Sequence, residues 1–388
     1  MLSYNGTVTD KRKTTDWLLV AFCAIVFILG FELGGFQLAL LRSANELGFS
    51  GAVMGLPITV NFIAISVFPL IFGPVSDKIG KKIVILASMA VFTIGGIIVW
   101  MSDSTSLFFI GIFVLGSGYG VCECSITAAI SDIYGKKGEN NINLSQSFFC
   151  LGAIISPLIL NALMDQAYAS WRIHFLICAV VMALMTPMLL RMREIPLHKH
   201  EAPMSKVKLQ KPLLIFGFVV CMSLYIGAEA GISYYADTVF SLELNAASLG
   251  AYAISLFWAA MGAGRLYFGR IKTIPPYATA VSLFALSVVL VFMIFSRQEI
   301  VVLGLFAAAG LTCSCIWPGI INSAVSLNRS ASGRIVSYLN MGTGVGGMLI
   351  PFINGVIMIN SGMSFSFLFL TVQCAATGMF MWKNRVKT

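Results

Sequence analysis

Apolar residues along this chain fall into long runs, each near the roughly 20 residues a helix needs to cross ~30 Å of hydrocarbon. Twelve such runs predict spans at 17–42, 52–75, 83–101, 106–133, 141–164, 170–192, 212–240, 247–270, 275–296, 299–327, 331–358 and 362–383. Short polar segments separate them. The one longer hydrophilic stretch, Arg193 to Lys211, carries Pro196, Pro203 and four lysines, and reads as a linker. The expected fold is an all-α membrane protein of two six-helix bundles, over 1–192 and 212–388, joined by a linker over 193–211.

The two halves repeat one another. Span 1 contains Gly30-Phe31-Glu32-Leu33-Gly34, and span 7 contains Gly227-Ala228-Glu229-Ala230-Gly231. Span 5 runs from Gly152 to Pro157 with the same spacing as Gly346 to Pro351 in span 11. Each match pairs a span with the sixth one after it, the order that duplicated transporter halves show.

Hydrophobic residues make up 58% of the 388 positions and charged ones 11%, well below the ~25% charged share of soluble domains. The net charge of +9 is a topology signal, not a nucleic-acid footprint. With both termini cytoplasmic, 22 of the 25 lysines and arginines fall inside, counting three after span 8, and only Arg42, Arg172 and Arg297 fall outside. Lys11, Arg12 and Lys13 precede an apolar run too long for a signal-peptide core, so the first span is expected to stay in the mature protein. The nine cysteines lie in apolar stretches without paired CxxC spacing, and His174, His198 and His200 lie at or beyond span ends. No metal site, cofactor or enzymatic activity is expected from them.

Chemistry concentrates in three acids. Glu32, Glu123 and Glu229 lie near the middle of spans 1, 4 and 7, and no lysine or arginine is expected at their depth. An ionised acid at mid-bilayer costs ~2.5–3.5 kcal/mol by insertion scales, so these are candidate substrate or proton sites. The alternative is a protonated acid that only bonds one helix to another. Neutral hydrogen-bonding groups accompany them: Gln37, Asn143, Gln146, Tyr234, Tyr235, Asn322, Asn340 and Asn354. Amides offer both donor and acceptor to a hydroxylated ligand, and Trp258 or Trp317 could stack on an apolar ring face, although asparagine and glutamine also serve as plain helix-to-helix contacts.

At the end of span 2 the sequence Gly73-Pro-Val-Ser-Asp77-Lys-Ile-Gly80-Lys81-Lys82 resembles the loop motif of the major facilitator superfamily. The resemblance implies that Asp77 faces the start of span 11 near Ala331 and holds a cytoplasmic gate shut, with Lys81, Asp132 and Arg334 in the same cluster. Within that superfamily, Cys122-Glu123-Cys124, Asn143-Leu-Ser-Gln146, Tyr225 to Glu229 and Trp317-Pro318 look like the fucose permease branch of sugar/proton symporters. That branch carries a proton-accepting aspartate in its first span, where Gln37 stands here and cannot titrate. Glu32, five residues earlier, lies about 140° round the helix and is no direct replacement.

These readings imply a multi-pass protein of the cytoplasmic membrane, monomeric, whose partners are lipid, protons and a small solute. Its expected function is import of a sugar-like, hydroxylated solute by proton symport with alternating access. Glu32, Gln37, Glu123, Asn143, Gln146, Glu229 and Asn340 are the expected binding residues. Export of organic cations, or nutrient sensing without transport, are the alternatives.

Overall fold

The computed structural model describes residues 8–49, 51–134, 138–164, 170–191, 211–269, 277–327 and 332–384, without the side chains of 8–16, 51–52, 77, 138–140, 269 and 332–334. Twelve of its helices are long and apolar enough to cross a membrane. They are α1 (Val8–Leu47), α2 (Leu56–Ile79), α3 (Lys81–Trp100), α4 (Thr105–Tyr134), α5 (Gly138–Met164) and α6 (Arg172–Leu190). There follow α7 (Pro212–Ser233), α8 (Gly250–Gly269), α9 (Ala278–Phe295), α10 (Glu299–Ser326), α11 (Ser332–Ser361) and α12 (Met363–Lys383). Large apolar side chains cover the outer surface, with Leu184 72%, Leu213 83% and Phe295 79% exposed, which suits lipid and not water.

Local chemistry sets the helix ends. Gly80 adopts φ 102 between α2 and α3, a conformation glycine takes without strain, and its N–H bonds the Ser76 carbonyl. Pro212 opens α7, where a missing N–H costs nothing. Within α10 the helix is interrupted at Ser314 and Cys315, because Pro318 has no N–H to offer the Ser314 carbonyl one turn back. Span 7 was expected to reach residue 240. Instead α7 stops at Ser233, and the chain turns through Tyr234 and Tyr235 into a short helical turn, Ala236–Thr238.

The first six helices pack mainly among themselves and the last six likewise, with α2 against α11 and α5 against α8 joining the two sets. The repeated glycines mark equivalent contacts in each set. A methyl group at Gly30 would lie 2.0 Å from the Phe149 carbonyl oxygen of α5, and one at Gly152 would lie 2.1 Å from that of Phe27 in α1. In the other set, a methyl at Gly346 of α11 would lie 2.0 Å from the Ser223 carbonyl oxygen of α7. Small residues therefore let α1 touch α5, and α7 touch α11, backbone to backbone. Gly152→Ala should cost about 1–3 kcal/mol through overpacking and lower the melting temperature of purified protein. Gly304→Ala, which meets nothing within 4 Å, should leave it unchanged.

Twelve crossings put both chain ends on one side, here the near side; the opposite is the far side. Hydrogen bonds between the two sets gather toward the far side. Arg42 at the far end of α1 pairs with Asp237 beyond α7 at 2.5 Å. Gln37 donates to Ser233 Oγ at 3.1 Å and accepts from Trp258 Nε1 at 3.0 Å. Thr59 of α2 donates to the Met348 carbonyl of α11, and Ser255 of α8 to the Ile154 carbonyl of α5, each at 2.8 Å. Toward the near side, Asn143, Leu144 and Phe148 of α5 and Ser337, Tyr338 and Asn340 of α11 are exposed. Among the described residues, the two sets meet at the far side, and those named toward the near side are exposed.

Candidate functional site

Helical spacing assembles the centre of the gap. Gln146 and Cys150 lie one turn apart on α5, as do Tyr225 and Glu229 on α7, so each pair shares a face. Gln146 of α5 lies close to Glu123 of α4. Glu229 accepts one from Tyr225, whose hydroxyl also lies 3.0 Å from the Cys313 carbonyl of α10. Both acids are half-buried. Arg265 of α8 is within electrostatic reach of both carboxylates and is bonded through Nη1 to Cys150 Sγ at 3.6 Å. The expectation of no cation at this depth is therefore corrected. Arg265 stands only a few residues from the near end of its span, which is why a charge tally assigned it to the loop.

Glu32 is set apart from this group. It is fully buried in α1, and neither carboxylate oxygen has a partner. Around it stand the unpartnered Asn61 amide of α2 and Tyr234 hydroxyl, with Tyr119 of α4 also within electrostatic reach. His174 of α6 bonds the Glu32 carbonyl through Nε2 at 3.1 Å and stacks on Phe31. Tyr119, one turn before Glu123, is within electrostatic reach of both Glu32 and Glu123. Glu123 and Glu229 share Arg265 as a neighbour, while Glu32 is fully buried near Tyr119 and Tyr234.

The neutral candidates divide in the same way. Gln146 belongs to the centre, and Asn143 is exposed nearer the near side. Gln37 is 1% exposed, with donor and acceptor both engaged in the far-side contact, so it holds the two sets together here. Asn354 bonds the Gly231 carbonyl at 3.3 Å and accepts from Ser366 at 2.8 Å, a plain contact between helices. Tyr235 bonds the Pro351 carbonyl at 2.9 Å. Asn322 and Asn340 are exposed. Of the expected gate, Lys81 pairs with Asp132, which ties α3 to α4 within the first set of helices. The side chains of Asp77 and Arg334 lie outside the described residues.

Sequence reasoning missed the far-side pair. Asp237 lies beyond the span Pro212–Ser233, and burial raises its carboxyl from 3.8 to about 6, with Arg42 opposing the shift only in part. A closed far side therefore holds the Asp237 proton more tightly than an open one, in which water restores the ordinary value. Closure should strengthen as pH falls through 6, by about tenfold at pH 5 relative to neutral pH. Spin labels at Asp103→Cys and Gln298→Cys, in a Cys124→Ser background, report this as a growing short-distance population. Asp237→Asn should abolish the trend.

Residues 20–296 match the profile of the Major Facilitator Superfamily. The chain belongs to that family. It is similar in fold to the fucose:proton symporter of E. coli, with a TM-score of 0.69 over 95% of this chain and 98% of that one, at 16% identity. Among curated relatives, myo-inositol transporter 2 of Schizosaccharomyces pombe is 25% identical over 173 residues, 44% of this chain. A chloramphenicol resistance protein of Pseudomonas aeruginosa is 28% identical over 134 residues, 34% of this chain. The match spans 31% of the length of each of those two relatives.

Proposed function

We propose that this major facilitator carries a small hydroxylated solute into the cell with protons, across the cytoplasmic membrane, with its near side facing the cytoplasm. The observation that carries the reading is that two half-buried acids from opposite sets of helices, Glu123 and Glu229, both lie within electrostatic reach of Arg265, while hydrogen bonds join the two sets on the far side. Rocking the two sets changes the surroundings of both acids together, which is what coupling requires. The likeness to a fucose:proton symporter and an inositol transporter supports a polyhydroxylated solute.

Glu123 and Gln146 form the solute-binding side, since a carboxylate and an amide together accept and donate to neighbouring hydroxyls. Asn143 extends it toward the cytoplasm, and Asn340 faces the exit on α11 in this reading. Glu229 holds the proton. Tyr225 has a single hydroxyl proton but two acceptors within reach, Glu229 and the Cys313 carbonyl. With Glu229 ionised, that proton serves the carboxylate and the carbonyl goes without. With Glu229 protonated, its own hydrogen reaches the Tyr225 oxygen and the Tyr225 hydrogen reaches Cys313, so every group is satisfied. Asp77 and Arg334 complete a cytoplasmic gate when the near side closes. One copy contains both halves of the site, so a monomer suffices.

Uptake into reconstituted vesicles tests the reading. Inositols and hexoses should enter faster with acid outside, and Glu123→Gln should lower uptake at least about tenfold, as loss of a charged hydrogen-bond partner implies. Unchanged uptake and pH dependence in that variant would remove Glu123 from the site. Absence of both uptake and counterflow for every solute would instead favour a sensor.

A further inference from the structure

The guanidinium of Arg265 carries five N–H donors, yet its hydrogen bond goes to a sulfur, Cys150 Sγ at 3.6 Å. It forms no ion pair with Glu123 or Glu229, although both lie within electrostatic reach. The neighbours on the acids are neutral instead: Glu229 takes a hydrogen bond from Tyr225, and Gln146 lies close to Glu123. A thiol sulfur is a weak acceptor, so this bond leaves the guanidinium's strong donors largely available to another partner. Among the described residues, Arg42 and Arg172 bind acids directly, Asp237 and Glu46 respectively. Arg265 is instead held back from its neighbouring acids, half-buried on α8 where it packs on α5.

We infer that Arg265 is a solute-binding residue and that the carried solute is an acid, its carboxylate seated on the guanidinium fork and its hydroxyls turned toward Glu123 and Gln146. This rests on the transporter reading and narrows its substrate from a neutral sugar to a hydroxylated monocarboxylate. The planar fork matches a carboxylate bidentately, which an ammonium group could not do. The same geometry supplies a reason for coupling. An anion placed on Arg265 also approaches Glu123 and Glu229, and like charges at that range repel unless a proton is taken up. A neutral sugar would need no such neutralisation and would leave the guanidinium without an oxyanion.

The test is calorimetric binding to purified protein at pH 5.5 and 7.5, using gluconate, glucuronate and lactate beside glucitol, glucose and 1,2-propanediol. At least one acid should bind at least about tenfold more tightly than its neutral counterpart, more so at pH 5.5. Arg265→Gln should erase that preference and Arg265→Lys should restore part of it. Binding of the neutral partner with its native affinity in Arg265→Gln guards against a folding defect in the arginine variants. Equal binding of acid and neutral partner, an undiminished preference in Arg265→Gln, or binding of no acid at millimolar concentration would each overturn the inference. Counterflow separates the two claims. Exchange of glucitol or glucose without exchange of the acids sinks the acid assignment and leaves a transporter, whereas tight gluconate binding with no counterflow leaves the anion site and sinks transport.

Discussion

Glu229→Gln is expected to abolish pH-driven accumulation of solute while leaving solute exchange intact. Glutamine has the shape of a protonated glutamic acid, and its amide can donate to the Tyr225 oxygen as the acid does. The Tyr225 hydrogen is then free for the Cys313 carbonyl, the arrangement in which all three groups are satisfied. The variant is thus fixed in the form that carries the proton, and it cycles without releasing one. A symporter moving one proton per solute reaches about a hundredfold accumulation across two pH units, since each unit is worth ~1.4 kcal/mol. The variant should stop at equal concentrations on both sides, while counterflow continues at a rate within a few-fold of the native protein. Tyr225→Phe tests the same relay from its other end: it removes the hydrogen that Cys313 needs, and should slow exchange without ending accumulation. Accumulation surviving in Glu229→Gln would move the proton to Glu123 or Glu32.

The reach of sequence reasoning follows from which constraints are local. Hydrocarbon demands long apolar helices with their backbone groups bonded internally, so the twelve spans stand out along the chain. The end of α7 does not, because Tyr234 and Tyr235 interrupt it only briefly before the helical turns Ala236–Thr238 and Val239–Glu243. Repeated glycines announce themselves by spacing, but their meaning, α1 against α5 and α7 against α11, needs the partner helix. The two G-x-E-x-G acids look alike in sequence and differ in place: Glu229 faces Tyr225 and Arg265, and Glu32 is enclosed with Asn61 and Tyr234.

Charge is where local reading failed most. A guanidinium sits on about 6 Å of flexible side chain, so an arginine near a helix end can serve the loop or the interior. Arg265 turns inward toward Cys150, and nothing in its flanking glycines or leucine announces the choice. Gln37 shows the opposite error. Its amide suits a ligand, but Ser233 and Trp258 already engage both ends of it in this state. If the far side opens during transport, those two bonds break and the same amide faces the gap, so its part in binding belongs to the other half of the cycle.

That half of the cycle should be reachable by a single substitution. Gly344 of α11 lies against α2 of the other helix set, where a Cβ would stand 2.2 Å from Ser66 Oγ and 2.5 Å from Ser66 Cβ. Gly347, one turn further, would meet the Phe62 ring at 2.2 Å. Closure of the far side therefore requires a bare backbone on α11 at this contact. Gly344→Leu adds four carbons there, more than Ser66 can yield to, and the overlap is relieved only by moving α2 from α11. Because the contact joins the two sets and not the inside of either, the strain falls on the conformational equilibrium and each bundle keeps its own packing. The far side should then stay open: spin labels at Asp103→Cys and Gln298→Cys, again with Cys124→Ser, should lose their short-distance population, and vesicle uptake should fall at least about a hundredfold, the effect of ~3 kcal/mol of uncompensated overpacking. Solute should still bind from the far side, and the melting temperature should change less than in Gly152→Ala, whose clash lies within one set. Normal uptake with an unaltered label distance would mean that α2 and α11 tolerate a side chain at their crossing, and that the contact between them does not govern closure.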